Sequence, residues 1–120
     1  MPQATLSIPP SVEHVRLARL VAVAAARRVG LSDEQIDDVR LAVGEGVTRA
    51  VQRHLAEHVA QDVSLGMIEI DDEFTIVITD HVGSAVPETD DGIALALIRA
   101  LVPDVEDAGA VLSLRWVRSA

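Results

Sequence analysis

Two histidines near the end of a predicted helix have the spacing of a metal-binding motif. Residues 54–58 read HLAEH, which matches H-x-x-E-H, the inverted zinc-protease motif. Two histidines at positions i and i+4 of a helix can share one metal ion. Such a site also needs a third, distant ligand and a substrate chamber, and neither is evident in this chain. The alternative is a polar helix end, where the helix dipole favours histidine, and we therefore expect no metal site.

Glu45 and Arg49 are a second pair of chemically active residues, four positions apart in a helical pattern. With the glutamate first, this is the favourable orientation for an ion pair of about 0.2–0.5 kcal/mol. Asp80 follows a predicted strand, where an aspartate is by default an ordinary turn residue. These residue types alone leave open whether the three side chains are structural or functional.

The first of the helices predicted around these residues is capped by Ser11 and runs to about Val29. Gly30 supplies its C-terminal stop. Four apolar side chains recur at helical spacing, and we expect this stripe to face the core: Leu17, Leu20, Val21 and Ala24.

The second helix carries both candidate sites. Ser32 and Gln35 form a capping box at its start, and the helical pattern continues to about Glu57. A third helix is predicted over roughly Ile93 to Leu101. The apolar residues of the second helix lie on one side, which we expect to pack on a sheet: Ile36, Val39, Val43, Val47, Ala50 and Val51.

Four segments read as strands because they alternate or are rich in β-branched residues. Asp71-Asp72 fits a hairpin turn between the middle two, and Trp116 on the last strand is predicted to be core. Residues 80–91 show no periodicity and are predicted to be a loop. The strands are Thr5–Ile8, Val63–Ile70, Phe74–Thr79 and Val111–Val117.

The order of these elements predicts an α+β fold. Adjacent strands that are separated only by a turn must pair antiparallel, and the helices then cover one face of the sheet. We therefore expect residues 1–120 to form a single domain, a two-layer α/β sandwich with a largely antiparallel sheet.

The charge distribution excludes some functions. The net charge is −9, and it comes entirely from residues 61–120, which carry three arginines and twelve acids. Lysine is absent. Nucleic-acid binding is disfavoured because it needs a basic face, whereas an acidic half is compatible with a basic protein partner or with solubility alone.

The chain is also predicted to be cytoplasmic and not to bind membranes. It contains no cysteine, which fits a reducing compartment. Its first residues have neither the basic nor the apolar region of a signal peptide. No apolar run approaches the ~20 residues of a membrane span.

Three stretches resemble the small anti-sigma-factor serine kinases, which share a nucleotide-binding fold with sensor histidine kinases, gyrase B and heat-shock chaperones. Residues 36–51, which contain LAVGEGVTRAV, resemble the family's helix pattern LAV-E-VTNAV. Residues 77–83, VITDHVG, resemble the strand that ends in a nucleotide-binding aspartate. Residues 92–101, GIALALIRAL, resemble the end of the nucleotide lid and the helix after it.

The resemblance implies roles for individual residues. Glu45 stands at the position of the general base, and Arg49 replaces the asparagine that binds magnesium. Asp80 corresponds to the aspartate that recognises the adenine amino group. Gly83 and Gly92 would shape the lid, with Ala94 in place of its second glycine.

The departures from the family pattern fall together on the nucleotide site. Arg49 has only hydrogen-bond donors and a fixed positive charge, so it cannot ligate a cation. After Asp80, the family's two glycines are replaced by Val82 and Ser84, although glycine is what permits close backbone approach and positive φ. An arginine can also stand in for a cation against phosphates, and that alternative stays open.

We therefore predict an anti-sigma-type transcription regulator that binds a sigma factor or an anti-anti-sigma protein. ATP binding is doubtful, magnesium is not expected, and no nucleic acid or membrane is involved. The alternative is an active serine/threonine kinase in which Glu45 is the general base. The third hypothesis is a stand-alone dimerisation module with no switch function, because the family resemblance implies dimers, and the alternating last strand is a candidate contributor to a homodimer.

Overall fold

The computed structural model describes residues 3–82 and 92–119, which build one sheet covered by helices on one face. A short 3₁₀ turn at Val12–His14 precedes the first helix. The predicted α+β two-layer architecture is confirmed. Its elements are β1 (Ala4–Ile8), α1 (Val15–Val29), α2 (Asp33–Ala56), β2 (Val63–Ile70), β3 (Glu73–Thr79), α3 (Gly92–Leu101), β4 (Asp104–Asp107) and β5 (Val111–Val117).

The five strands lie in the order β1-β2-β3-β5-β4, and every neighbouring pair is antiparallel. Ile78 lies opposite Leu65 on one side and Leu112 on the other. All three are buried, so this row faces the helices. Both backbone edges of β5 are already paired, so a dimer through this last strand would have to use its face.

The core forms where α2 crosses the sheet. Gly46 permits the close approach, because a Cβ there would lie 2.6 Å from Cδ1 of Ile78 on β3. Trp116 on β5 is 1% exposed, which confirms its predicted core position. The inner face of α2 includes a row of valines that are at most 1% exposed: Val39, Val43, Val47 and Val51.

The predicted core face of α1 is wrong. Leu17 and Leu20 are 44% and 58% exposed, and the buried side chains are Val15, Ala18, Ala22, Val23 and Ala26. The middle of this helix is apolar almost all round, so its periodicity could not select a face. The helix turns mostly small residues inward, and alanine allows closer packing between helices than leucine.

The helix ends follow the sequence with one exception. Gly30 ends α1 with φ 86, and Ser32 and Gln35 form the predicted capping box of α2. Ser11 lies at the N-cap position of the 3₁₀ turn rather than of α1, and its hydroxyl donates to the Glu13 carboxylate and makes no capping hydrogen bond. No helix in the part of the chain that the structure describes combines the length and hydropathy of a membrane span.

Strand β4 is the element that the sequence did not predict. Its four residues, DVED, are three acids around one valine, and aspartate and glutamate are depleted in strands. It forms because Val105 packs on the core and because Asp104 forms an ion pair with Arg115 on the neighbouring strand β5. Acidic side chains on a short edge strand also discourage pairing with other chains.

Candidate functional site

The last turns of α2 bring charged residues to its inner face. Arg49 and Arg53 are each 6% exposed, and His54 is fully buried. Their spacing continues the helical period of the valines that precede them. Polar side chains therefore occupy positions that would otherwise be filled by core residues, and they meet the ends of β3 and β4.

Arg53 forms a buried ion pair with Asp80, the residue that follows β3. Nε of Arg53 donates to Oδ2 of Asp80 at 3.0 Å, and the two side chains are 6% and 3% exposed. The other carboxylate oxygen, Oδ1, accepts the backbone N–H of Val82 at 2.9 Å. The backbone N–H of Asp80 donates to the carbonyl of Ala110 at 2.8 Å. Both carboxylate oxygens of Asp80 are thus used within the protein.

His54 fixes the backbone immediately after Asp80. Its Nε2 accepts the backbone N–H of His81 at 3.0 Å, which places the proton of the neutral ring on Nδ1. The His81 ring lies edge-on to it, with 6.0 Å between ring centroids. Arg53 and His54 together tie α2 to the end of β3.

The H-x-x-E-H motif does not have the geometry of a zinc site. His54 lies on the helix and has Nε2 engaged by a backbone N–H, whereas His58 lies beyond the helix end with φ 55. The two rings are therefore not presented from successive turns of one helix. Among the described residues, no group of three or more potential ligands is placed to hold a metal.

Arg49 points toward β4. Its Nη2 lies 4.0 Å from Oδ1 of Asp107, whose side chain is 23% exposed. The predicted ion pair between Arg49 and Glu45 is not among the ion pairs of the described residues. Glu45, the general-base candidate, is partly exposed on α2, whereas Arg49 one turn later is buried.

The remaining predicted site residues are less informative. Gly83 lies outside the described residues. Gly92, at the start of α3, is exposed, and a Cβ added there would meet nothing within 4 Å, so no close contact requires a glycine. Ala94 is partly buried on the same helix. The structure brings Asp80 and Arg49 to the same end of α2.

Arg53 is the site residue that sequence reasoning missed. A signal was available, because Arg53 follows Arg49 by four residues and so shares its helix face. The same face carries valines in the preceding turns, which should have marked both arginines as buried. A buried arginine requires a carboxylate partner, and Asp80 is the one that the structure supplies.

A cavity of about 570 Å³ lies elsewhere, on the sheet face away from the helices, with Thr75, Val77 and Ser113 in its floor. Arg115 at its rim contacts Asp104 and Glu73, and its pKa is raised, chiefly by the hydrogen bond to Asp104. This cavity is separated from Asp80 by the sheet itself. It contributes nothing to the predicted site.

Comparison with known proteins identifies the fold family. Residues 8–116 match the family model described as "Histidine kinase-like ATPase domain". The chain belongs to this family. The resemblance predicted from the sequence is thereby confirmed, including its anti-sigma branch, because the curated relatives are serine-protein kinases named RsbW.

These relatives match over different shares of their length. The Serine-protein kinase RsbW of Oceanobacillus iheyensis is 29% identical over 119 residues, which cover 84% of this chain and 75% of the relative. RsbW of Bacillus pumilus is 32% identical over 81 residues, covering 66% and 50%. The chain thus spans about half the length of the Bacillus pumilus relative. A crystal structure of the RsbU and RsbW domains of a Mycobacterium tuberculosis protein superposes with a TM-score of 0.74 at 21% identity, covering 99% of this chain and 34% of the other.

Membership in an ATPase family implies that a nucleotide, and in some members a magnesium ion, binds at this site. The residues at Arg49 and Asp80 do not fit a magnesium–nucleotide complex. Arg49 offers only donors where a cation needs oxygen ligands, and it is turned toward Asp107. Both carboxylate oxygens of Asp80 already accept hydrogen bonds within the protein, and its side chain is only 3% exposed, so little of the carboxylate is open to a base amino group. The charged groups at this site contact one another, and their arrangement does not favour magnesium–ATP.

Proposed function

We propose that this protein is an anti-sigma-type regulator that acts in the cytoplasm by binding a protein partner. The partner is a sigma factor or an anti-anti-sigma protein, and the complex forms without metal–ATP chemistry. Membership in the histidine kinase-like ATPase family and likeness to the RsbW kinases support the class of partner. The mechanism is steric, because a preformed surface masks the partner until a third protein competes for it.

One observation carries the loss of kinase chemistry. Arg49, at the position where the family resemblance places the magnesium ligand, is 6% exposed and directed at Asp107. Phosphoryl transfer depends on metal ions that bridge the phosphates and neutralise developing charge. A fixed cation at the ligand position repels a second cation and offers it no lone pair. The scaffold is therefore retained while its metal chemistry is not.

An active serine kinase is the second candidate. Glu45 is retained and partly exposed, as a general base that must reach a partner's hydroxyl needs to be. The relatives that bear the name serine-protein kinase also favour it. In this case magnesium must find ligands other than residue 49.

A binding and labelling experiment separates the two candidates. Sigma factors and anti-anti-sigma proteins purified from the source organism are immobilised, and binding of this protein is measured with and without ATP and magnesium. We expect one partner to bind with equal affinity in both conditions and to acquire no labelled phosphate. Labelled partner serine that disappears in the Glu45→Gln variant would establish the kinase, and failure of every such partner to bind would refute the regulator.

The purified protein and its complex with a partner also allow the oligomeric state to be measured. We propose that a homodimer, if it forms, uses a face rather than the backbone edge of β5, since that strand is paired on both sides. Light scattering of the free protein and of its complex gives the stoichiometry directly.

A further inference from the structure

The buried ion pair between Arg53 and Asp80 has a consequence for ligand binding as well as for packing. We propose that Arg53 is a permanent internal ligand of Asp80 and closes the base-binding end of the site, whatever occupies the metal position. Partner binding is consequently insensitive to adenine nucleotides. The last statement rests on the proposed function, whereas the closure itself concerns only the isolated chain.

The hydrogen bonds of the carboxylate are the first argument. Oδ2 of Asp80 accepts from Nε of Arg53, and Oδ1 accepts from the backbone N–H of Val82. A nucleobase amino group is also a donor. Each carboxylate oxygen has a second lone pair, but the Asp80 side chain is only 3% exposed, so a base can reach it only if one of these two neighbours moves. The Val82 donor is part of the backbone, which leaves the Arg53 guanidinium as the group that must move.

The burial of the pair opposes that movement. The Arg53 and Asp80 side chains are 6% and 3% exposed, and breaking a buried ion pair by removing one partner is strongly unfavourable. A neutral adenine amino group that replaced the guanidinium would supply a hydrogen bond to Asp80 but no countercharge. The internal ligand is therefore the stronger competitor.

The helix that carries Arg53 is held in place on both sides of it. His54 accepts the backbone N–H of His81 at 3.0 Å, and Gly46 lets α2 lie directly against Ile78 of β3. The backbone N–H of Asp80 is also engaged, by Ala110. Sliding α2 away from β3 would break the His54 hydrogen bond and the Gly46 contact together, while the bond to Ala110 holds Asp80 in place.

Closure by Arg53 is separable from the change at Arg49. Arg49 contacts Asp107 on β4, whereas Arg53 contacts Asp80 after β3. Restoring the family's asparagine with Arg49→Asn should therefore leave adenosine unbound. Removing the side chain of Arg53 should expose the Asp80 carboxylate to small donors even though Arg49 is unchanged.

The test uses adenosine as the probe for the base and methylguanidinium as the probe for the missing side chain, both without magnesium. Calorimetry and thermal melting are applied to the natural protein, Arg53→Ala, Arg49→Asn and the double variant Arg53→Ala/Asp80→Leu. We expect adenosine to bind Arg53→Ala at least about tenfold more tightly than the natural protein. Methylguanidinium should raise the melting temperature of Arg53→Ala alone.

The controls decide the remaining outcomes. Arg49→Asn and the double variant should respond like the natural protein to both probes. If Arg53→Ala does not fold, Arg53→Ala/Asp80→Asn replaces it for adenosine, because it removes the unpaired charge and keeps an acceptor. Adenosine binding by the natural protein or by Arg49→Asn would overturn the proposal, as would a folded Arg53 variant that ignores adenosine. None of these results depends on a partner, so they are distinct from failure of the proposed function.

Discussion

The two halves of α2 contact the sheet with different chemistry. In the first half, the inner face is built from valines such as Val39 and Val43, which are completely buried. In the second half, Arg49, Arg53 and His54 share the inner face with apolar residues. An apolar contact tolerates small changes in position, whereas a buried ion pair depends on both partners. The charged half therefore specifies one arrangement of the helix against the strand ends.

The same contrast exists between the two arginines. Arg53 is 3.0 Å from a carboxylate that is 3% exposed, whereas Arg49 is 4.0 Å from one that is 23% exposed. Salt bridges weaken as the pair becomes exposed and separated. We therefore expect the Arg53–Asp80 ion pair to be stronger than the one between Arg49 and Asp107, which lies where the family resemblance places the metal.

The largest effect is expected from breaking the Arg53 pair. Asp80→Ala removes the carboxylate with which Arg53 forms its buried ion pair, and removing one partner of such a pair typically costs about 3–5 kcal/mol. Urea unfolding of this variant and of Arg53→Ala/Asp80→Ala should show that the double change costs less than the sum of the singles. A loss below about 1 kcal/mol for Asp80→Ala would mean that the pair behaves like a surface contact.

Two glycines at the boundary between the halves of α2 should respond with opposite signs. Alanine is a better helix former than glycine by about 0.8–1 kcal/mol. At Gly44 the new Cβ would lie 3.0 Å from Cδ of Arg19, an exposed and flexible side chain that can move. At Gly46 it would lie 2.6 Å from the buried Ile78 side chain, and overpacking costs about 1–3 kcal/mol.

Thermal melting of the two alanine variants checks this prediction. Gly44→Ala should raise the melting temperature and Gly46→Ala should lower it. Equal shifts in the two variants would show that α2 is not held close to β3 at Gly46.

A smaller effect is expected at the metal end. Asp107→Ala removes the partly exposed partner of Arg49, and the loss should be about 0–1 kcal/mol. Measured beside Asp80→Ala by the same urea titration, it gives the difference between the two ends of the site. A loss for Asp107→Ala equal to that for Asp80→Ala would remove the distinction between them.

The smallest effect is expected on the outer surface of α2. Asp37 and Arg40 form an i,i+3 pair at 2.8 Å with side chains 69% and 44% exposed. Asp37→Ala should cost about 0.2–0.5 kcal/mol, and this loss should vanish in high salt. Unfolding at low and high ionic strength measures it, and a salt-independent loss would contradict a purely electrostatic contact.

Much of the fold could be predicted from local signals. Gly30, the Ser32–Gln35 capping box, the β-branched residues of β2 and β3 and the alternation of β5 each favour a local structure, and the folded chain adopts all of them. Strand β4 could not be predicted, because its acidic sequence forms a strand only through pairing with β5. The face of α1 was also ambiguous, since a helix that is apolar on most sides buries whichever side its neighbours cover.

The structure shows contacts at the predicted site residues that the sequence did not indicate. Asp80 and Arg49 were identified from their positions in family-like stretches, and both lie at the charged end of α2. Their actual partners, Arg53 and Asp107, are distant in sequence or lie on the unpredicted strand. The i+4 spacing suggested Glu45 as the partner of Arg49. Spacing along the helix cannot indicate that the tertiary fold brings Asp107 close to Arg49.

We propose above that this fold is retained without magnesium–nucleotide chemistry. The most direct test is calorimetric titration of the natural protein with a non-hydrolysable ATP analogue, in the presence of magnesium and again in the presence of a chelator. We expect no binding heat in either condition. Binding that requires magnesium would contradict it, because Arg49 and the closed Arg53–Asp80 pair leave the cation and the base without their ligands.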